Sequence, residues 1–118
     1  MPVGAEFQAF VLDLLAPLGP GARRMFGGVG IMRDGLMFAL LSNDTMYFRV
    51  DARTRPSFQD AGCGPFRYNR AGRDVAIETY YAVPDALYDE PETLLAWARE
   101  ALGAAHRSPR TRRRSAAR

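Results

Sequence analysis

Lysine is absent from this chain, and cysteine and histidine occur once each. A lone thiol, Cys63, rules out an intramolecular disulfide, so the fold is expected to stand without covalent staples, as suits a reducing cytoplasm. One Cys and one His cannot fill a tetrahedral site from side chains of these types, and no metal or other cofactor is expected. No apolar run approaches the ~18 to 20 residues of a membrane span. The opening Met-Pro-Val-Gly-Ala-Glu also lacks the charged and uninterrupted apolar regions of a secretion signal. The expectation is a cytoplasmic protein with no membrane partner.

Catalytic signals are equally sparse. His106 falls at the end of a helical pattern, where its charged form would meet the helix dipole. Cys63 lies in the turn Ala61-Gly62-Cys63-Gly64-Pro65, and no motif names a group that would activate it. Asp89, Glu90 and Glu92 cluster at a helix start, where negative charge is favourable without any chemistry. These residues argue against an enzyme.

The 118 residues suffice for one domain with its own core. The formal charge of +3 hides an asymmetry: all sixteen basic residues are Arg, and six of them lie in the last twelve positions. Residues 1–106 carry ten Arg against thirteen carboxylates, a balance of −3. The expected organisation is therefore a mildly acidic folded domain over 1–106 and a disordered Arg-rich tail over 107–118, which has like charges and nothing to anchor it in a core.

Within the domain, Phe7, Phe10, Val11, Leu14, Leu15 and Leu18 recur at helical spacing from Gly4 to about Pro17. Two apolar runs then flank Asp34-Gly35, a pair that accepts φ > 0 at both positions and so predicts a two-residue type I′ hairpin. Counting back from that turn sets Met32 opposite Met37, Gly30 opposite Ala39 and Gly28 opposite Leu41. Asn43-Asp44 is a second such pair, and it sets Leu41 opposite Met46 and Ala39 opposite Phe48. Together the two turns predict one core face of Phe26, Gly28, Gly30, Met32, Met37, Ala39, Leu41, Met46, Phe48 and Val50, with the glycines lying beneath a helix. The opposite face would hold Met25, Val29, Ile31, Leu36, Phe38, Leu40 and Tyr47 among Arg33, Thr45, Arg49 and Asp51. That face is too apolar for a wholly wet surface: either other elements cover it, or it meets a partner.

A short helix is expected over Ala52 to Ala61. A second hairpin should run from Phe66 to Tyr68 and from Val75 to Val83, where Ala71 favours a longer loop or bulge over a tight turn. A last helix should start on Asp89 as cap, with Glu92 completing a capping box, and bury Leu94, Trp97, Ala98, Ala101, Leu102 and Ala105. The expected class is α+β, with an antiparallel sheet of about five strands and the order α-β-β-β-α-β-β-α.

Taken as a set, Arg23-Arg24-Met25-Phe26-Gly27-Gly28, Asp34-Gly35, Met46-Tyr47-Phe48-Arg49-Val50-Asp51, Pro65-Phe66-Arg67-Tyr68, Tyr80-Tyr81 with Val83-Pro84, and the Leu94…Trp97-Ala98 helix resemble the N-terminal domain of the TfoX/Sxy family of bacterial competence regulators. The resemblance covers residue 4 to about 105. It implies a curved sheet flanked by helices with a topology like that of type III secretion chaperones, no enzymatic activity, and a role in transcriptional control of natural transformation, in which full-length members act with the cyclic-AMP receptor protein. Those members carry a second, helical domain, and an Arg-rich tail stands here where it would begin.

Two functional expectations follow. The first is a small regulatory or adaptor protein that binds a protein partner, or itself as a homodimer, through the face holding Phe38, Tyr47 and Arg49. The alternative is non-specific nucleic-acid binding through the tail arginines Arg107, Arg110, Arg112, Arg113, Arg114 and Arg118, which offer charge to phosphates but no surface to read bases.

Overall fold

The computed structural model describes residues 3–25 and 27–108. Phe26 and the tail beyond Ser108 lie outside them, so the expectations for Phe26 and for Arg110, Arg112, Arg113, Arg114 and Arg118 concern residues that are not described. The elements run α1 (Ala5–Leu14), β1 (Gly21–Met25), β2 (Gly28–Arg33), β3 (Leu36–Ser42), β4 (Thr45–Arg49), α2 (Arg55–Asp60), β5 (Pro65–Arg70), β6 (Arg73–Ala82) and α3 (Pro91–Arg107). Short 3-10 turns sit at Ala16–Leu18 and Asp85–Asp89. The α+β class and the helix–strand order are as expected, with one strand more.

All six strands form one antiparallel sheet in the order β1-β2-β3-β4-β6-β5. The added strand is β1, whose Gly-Ala-Arg-Arg run is exposed and lacks the alternation that would announce it. Its arginines suit an open sheet edge, where charge discourages pairing with another chain. Asp34-Gly35 and Asn43-Asp44 both take φ > 0, at 54° and 77° and at 51° and 53°, so both expected hairpin turns form. Ala71-Gly72 does the same, at 52° and 81°. The second hairpin thus closes on a two-residue turn rather than a longer loop, helped by Asn69 Oδ1, which accepts a 3.1 Å hydrogen bond from Gly72 N–H.

The core lies on one side of the sheet only. Val11 of α1, Leu15 and Leu18 just after it, and Leu94, Ala98, Ala101, Leu102 and Ala105 of α3 pack with Val29, Ile31, Ala39, Leu41, Met46, Phe48 and Tyr81. Phe10, expected in the buried stripe of α1, is 45% exposed. The last helix begins one residue later than its signals suggested. Asp85–Asp89 winds into a 3-10 turn, leaving Glu90 as the cap residue, and no side chain caps the helix.

A bulge overturns half of the expected core face. Met32 pairs with Met37, but Ile31 pairs with Ala39, Gly30 with Leu40 and Val29 with Leu41, because Phe38 is an extra residue on β3. The insertion reverses the facing of every residue on its far side relative to the turn. Gly28, Gly30, Met32 and its partner Met37 belong to the face away from the helices, and Val29, Ile31 and Phe38 belong to the core, where Ile31 and Phe38 are fully buried. The β3–β4 register, Ala39 with Phe48 and Leu41 with Met46, stands as expected.

Candidate binding face

The side of the sheet without helices carries a connected set of polar-edged aromatic residues. Strand pairing aligns Gly30, Leu40, Tyr47 and Ala82 in one row across β2, β3, β4 and β6, and places Arg49 opposite Tyr80 in the next. Leu40 and Tyr80 are buried, yet neither belongs to the helix-covered core. Tyr80 lies under the Arg49 side chain of this same face.

Tyr80 is the keystone of that arrangement. Its hydroxyl reaches across β4 and donates a 3.1 Å hydrogen bond to the carbonyl of Met37, just before the bulge. Its ring carries the Arg49 guanidinium, 5.6 Å from the centroid. Burial pushes the Tyr80 phenol above its usual range, and the Arg49 guanidinium draws it partly back. Such a cation over a ring is attracted by the ring quadrupole, more so where water is excluded. Arg49 Nε is itself buried and has no hydrogen-bond partner, and no carboxylate among the described residues forms an ion pair with this guanidinium. Buried donors in folded proteins are seldom left unpaired.

Beside this pair the rings form a row. Tyr47 meets Phe66 edge-on at 5.1 Å between centroids, and Phe66 lies nearly parallel to Tyr68 at 6.0 Å with planes 18° apart. All three are half-buried, leaving ring surface open to solvent. Burial also raises the Tyr47 phenol. The floor is tight at Gly30, where a Cβ would lie 2.6 Å from Met37 Sδ and 3.1 Å from Met25 Cε. The glycine lets the two methionines fill the surface.

Of the residues expected to meet a partner, Tyr47 and Arg49 lie together on this face. Phe38 does not: the bulge turns it inward to full burial. The sequence places Phe66, Tyr68 and Tyr80 in strands, and what joins them to Tyr47 and Arg49 is the β4–β6 pairing, which the turns alone do not disclose. Arg107, expected to open the tail, is the last residue of α3, and its Nε donates a 2.8 Å hydrogen bond to Asp51 Oδ2. Asp51 Oδ1 accepts from the backbone N–H groups of Arg53 and Thr54, so this carboxylate ties the end of α3 to the approach to α2.

Elsewhere there is little chemistry. The Cys63 thiol is pushed up by burial and by the nearby Asp85 carboxylate, away from the reactive thiolate. No group of three His, Cys, Asp or Glu among the described residues is arranged to hold a metal ion. An open groove of about 490 Å³ runs along the β1–β2 turn beside α1, and a smaller one of about 220 Å³ lies between α2 and α3 against Phe58 and Trp97. No described helix is long and apolar enough to cross a membrane.

Residues 13–105 match the TfoX N-terminal domain model. The chain belongs to this family. It is also 30% identical over 80 residues to the DNA transformation protein TfoX1 of Aliivibrio fischeri, an alignment covering 68% of this chain and 38% of that protein. The alignment thus spans little more than a third of that relative.

Proposed function

We propose that this TfoX N-terminal domain is a non-enzymatic regulatory or adaptor module of bacterial DNA transformation, acting by binding a macromolecule through the helix-free face of its sheet. One observation carries the reading: Arg49, half-buried and without an ion pair among the described residues, is held against Tyr80 beside the half-open rings of Tyr47, Phe66 and Tyr68. The enclosed Nε is out of a partner's reach, but the half-buried guanidinium is neutralised by no carboxylate among the described residues, and a docked partner could accept from its terminal nitrogens. The transformation role comes from the family and from the name of the Aliivibrio fischeri relative. Transcriptional control would be exerted through the bound partner.

The experiment is genetic. The gene is deleted in its host and restored as wild type, as Arg49→Ser or as Tyr47→Ser with Tyr68→Ser, and transformation frequency and competence-gene transcripts are measured. Wild type is expected to restore both and the face variants neither, at equal protein level. Full restoration by the face variants would overturn the reading.

A further inference from the structure

The chemistry of the face points to a particular occupant. Strand register places Arg23 opposite Gly30, Arg49 opposite Tyr80, and Arg70 opposite Arg73, all on the helix-free side. The carboxylates nearest to it are turned elsewhere. Asp51 is held by Arg107, Asp74 pairs with Arg67 at 2.8 Å on the other side of the hairpin, and Glu78 accepts a 2.9 Å hydrogen bond from the Tyr81 hydroxyl at the helix-bearing side. Asp44 is taken up by the Gly4 N–H at 2.7 Å, and Asp34 stays at the β2–β3 turn near Arg33. Although residues 1–106 have an acidic balance, the charged side chains that strand register places on this face among the described residues are arginines.

That distribution decides among occupants. A second copy docked through the same patch would set arginine against arginine, because a twofold contact pairs a surface with itself. An aliphatic anchor would find little to grip, since Leu40 is only 8% exposed and the methionines fill the space at Gly30. What remains open is ring surface flanked by guanidinium. Unpaired bases stack on aromatic rings while arginines neutralise the backbone, whereas the bases of a duplex are already stacked on one another.

We propose that the helix-free face of the sheet binds single-stranded nucleic acid, with bases stacked on Tyr47, Phe66 and Tyr68 and phosphate oxygens accepting from Arg49 and its flanking arginines. The proposal rests on the same face as the proposed function and names its occupant. It differs from tail binding in having a folded, aromatic surface, and so predicts a preference for unpaired bases.

The test uses the full chain and fluorescence anisotropy with a labelled oligothymidylate, an oligouridylate, a duplex of equal length, an abasic oligonucleotide of equal charge and, as competitor, polyglutamate. Single strands are expected to bind at least about tenfold more tightly than the duplex or the abasic strand, the scale of losing one or more stacked bases. Tyr47→Ser with Tyr68→Ser should lose about tenfold, while Tyr47→Phe with Tyr68→Phe should keep binding because the rings remain. Arg73→Ser, an exposed position, should flatten the log–log salt dependence by about 0.7 if it contacts one phosphate. Thermal melts establish that each variant is folded. Should the double serine variant unfold, Arg49→Ser and Arg73→Ser carry the test, and unchanged affinity and salt slope in both overturn the proposal. Equal binding of duplex, abasic and single strands overturns it in favour of simple charge. Binding that ignores the face but vanishes when the arginines beyond Ser108 are changed to glutamine overturns it in favour of the tail. Competition by polyglutamate as strong as by unlabelled oligothymidylate overturns it in favour of an acidic protein segment. If single strands fail to bind although face variants still abolish transformation, the docking role stands and its occupant is not nucleic acid.

Discussion

Gly28 and Gly30 are two residues apart on the same strand and the same face, yet alanine should act very differently at the two positions. A Cβ on Gly28 would sit 2.5 Å from the Leu41 carbonyl oxygen, and a Cβ on Gly30 would sit 2.6 Å from Met37 Sδ. The distances match, but the obstacles do not. Met37 Sδ lies near the end of a flexible side chain, and Met25 Cε, at 3.1 Å, is the end of another. Leu41 O is backbone in a fully buried residue whose strand is paired on both sides, with Val29 and with Met46.

Restoring ordinary contact at Gly28, about 3.4 Å, means moving a central strand by roughly 0.9 Å or breaking its ladder. Overpacking of this kind costs about 1 to 3 kcal/mol, and a lost backbone hydrogen bond adds about 1 kcal/mol. The lower entropy of the unfolded alanine chain returns about 0.4 to 1 kcal/mol. Gly28→Ala is therefore expected to lose about 1 to 4 kcal/mol, a fall in Tm of about 4 to 16 °C at roughly 4 °C per kcal/mol for a domain of this size. At Gly30 the same entropic gain offsets two displaced thioethers, and Gly30→Ala should lie within about 1 kcal/mol of wild type. Urea denaturation of both variants measures the difference. Equal losses, or a larger loss at Gly30, would refute the bulged register, since an unbulged β2–β3 pairing puts Gly30 beneath a helix.

Three further outcomes are expected. Phe38→Ala should lose about 3 to 5 kcal/mol in the same denaturation experiment, because the ring is fully buried; a loss below about 0.5 kcal/mol would return Phe38 to the surface. The Arg107 hydrogen bond holds the Asp51 carboxyl below its ordinary value against the opposing effect of burial. A lowered folded value means that the stabilisation is present above the unfolded carboxyl pKa near 4 and fades as pH falls through the folded one. With about a third of the Arg107 side chain exposed, screening limits the pair to about 1 kcal/mol or less. Arg107→Ala should accordingly lower Tm slightly at pH 7, with the gap closing as pH falls from 4 to 2, and a gap that widens on acidification would contradict the assignment. Ala71→Gly should raise Tm by a few degrees, because Ala71 sits at φ 52°, where a side chain costs roughly 1 kcal/mol; a fall would show that the turn is not strained.

What the sequence disclosed and what it hid have one physical root, the difference between local and non-local information. Asp34-Gly35, Asn43-Asp44 and the helical stripe Leu94, Ala98, Ala101, Leu102 and Ala105 are local signals, and the structure contains the turns and the helix they announce. The bulge has no such signal. Leu36-Met37-Phe38-Ala39-Leu40-Leu41 is apolar at every position, so no polar residue marks which side of the strand is wet, and an inserted residue leaves the pattern unchanged. β1 was hidden for the opposite reason: as an edge strand its side chains are mostly exposed and polar.

The binding face combines both kinds of hidden information. Tyr80 lies 31 positions after Arg49 in the chain and beside it in the sheet, through a β4–β6 pairing that skips over β5. The bulge turns Met37 to the helix-free side, and the Met37 carbonyl is the acceptor that holds the Tyr80 hydroxyl. One extra residue therefore does two things: it drives Phe38 into the core, and it creates the anchorage that keeps Tyr80 flat beneath Arg49. Removing Phe38 would restore an unbroken alternation of apolar residues while taking from Tyr80 its place on the sheet.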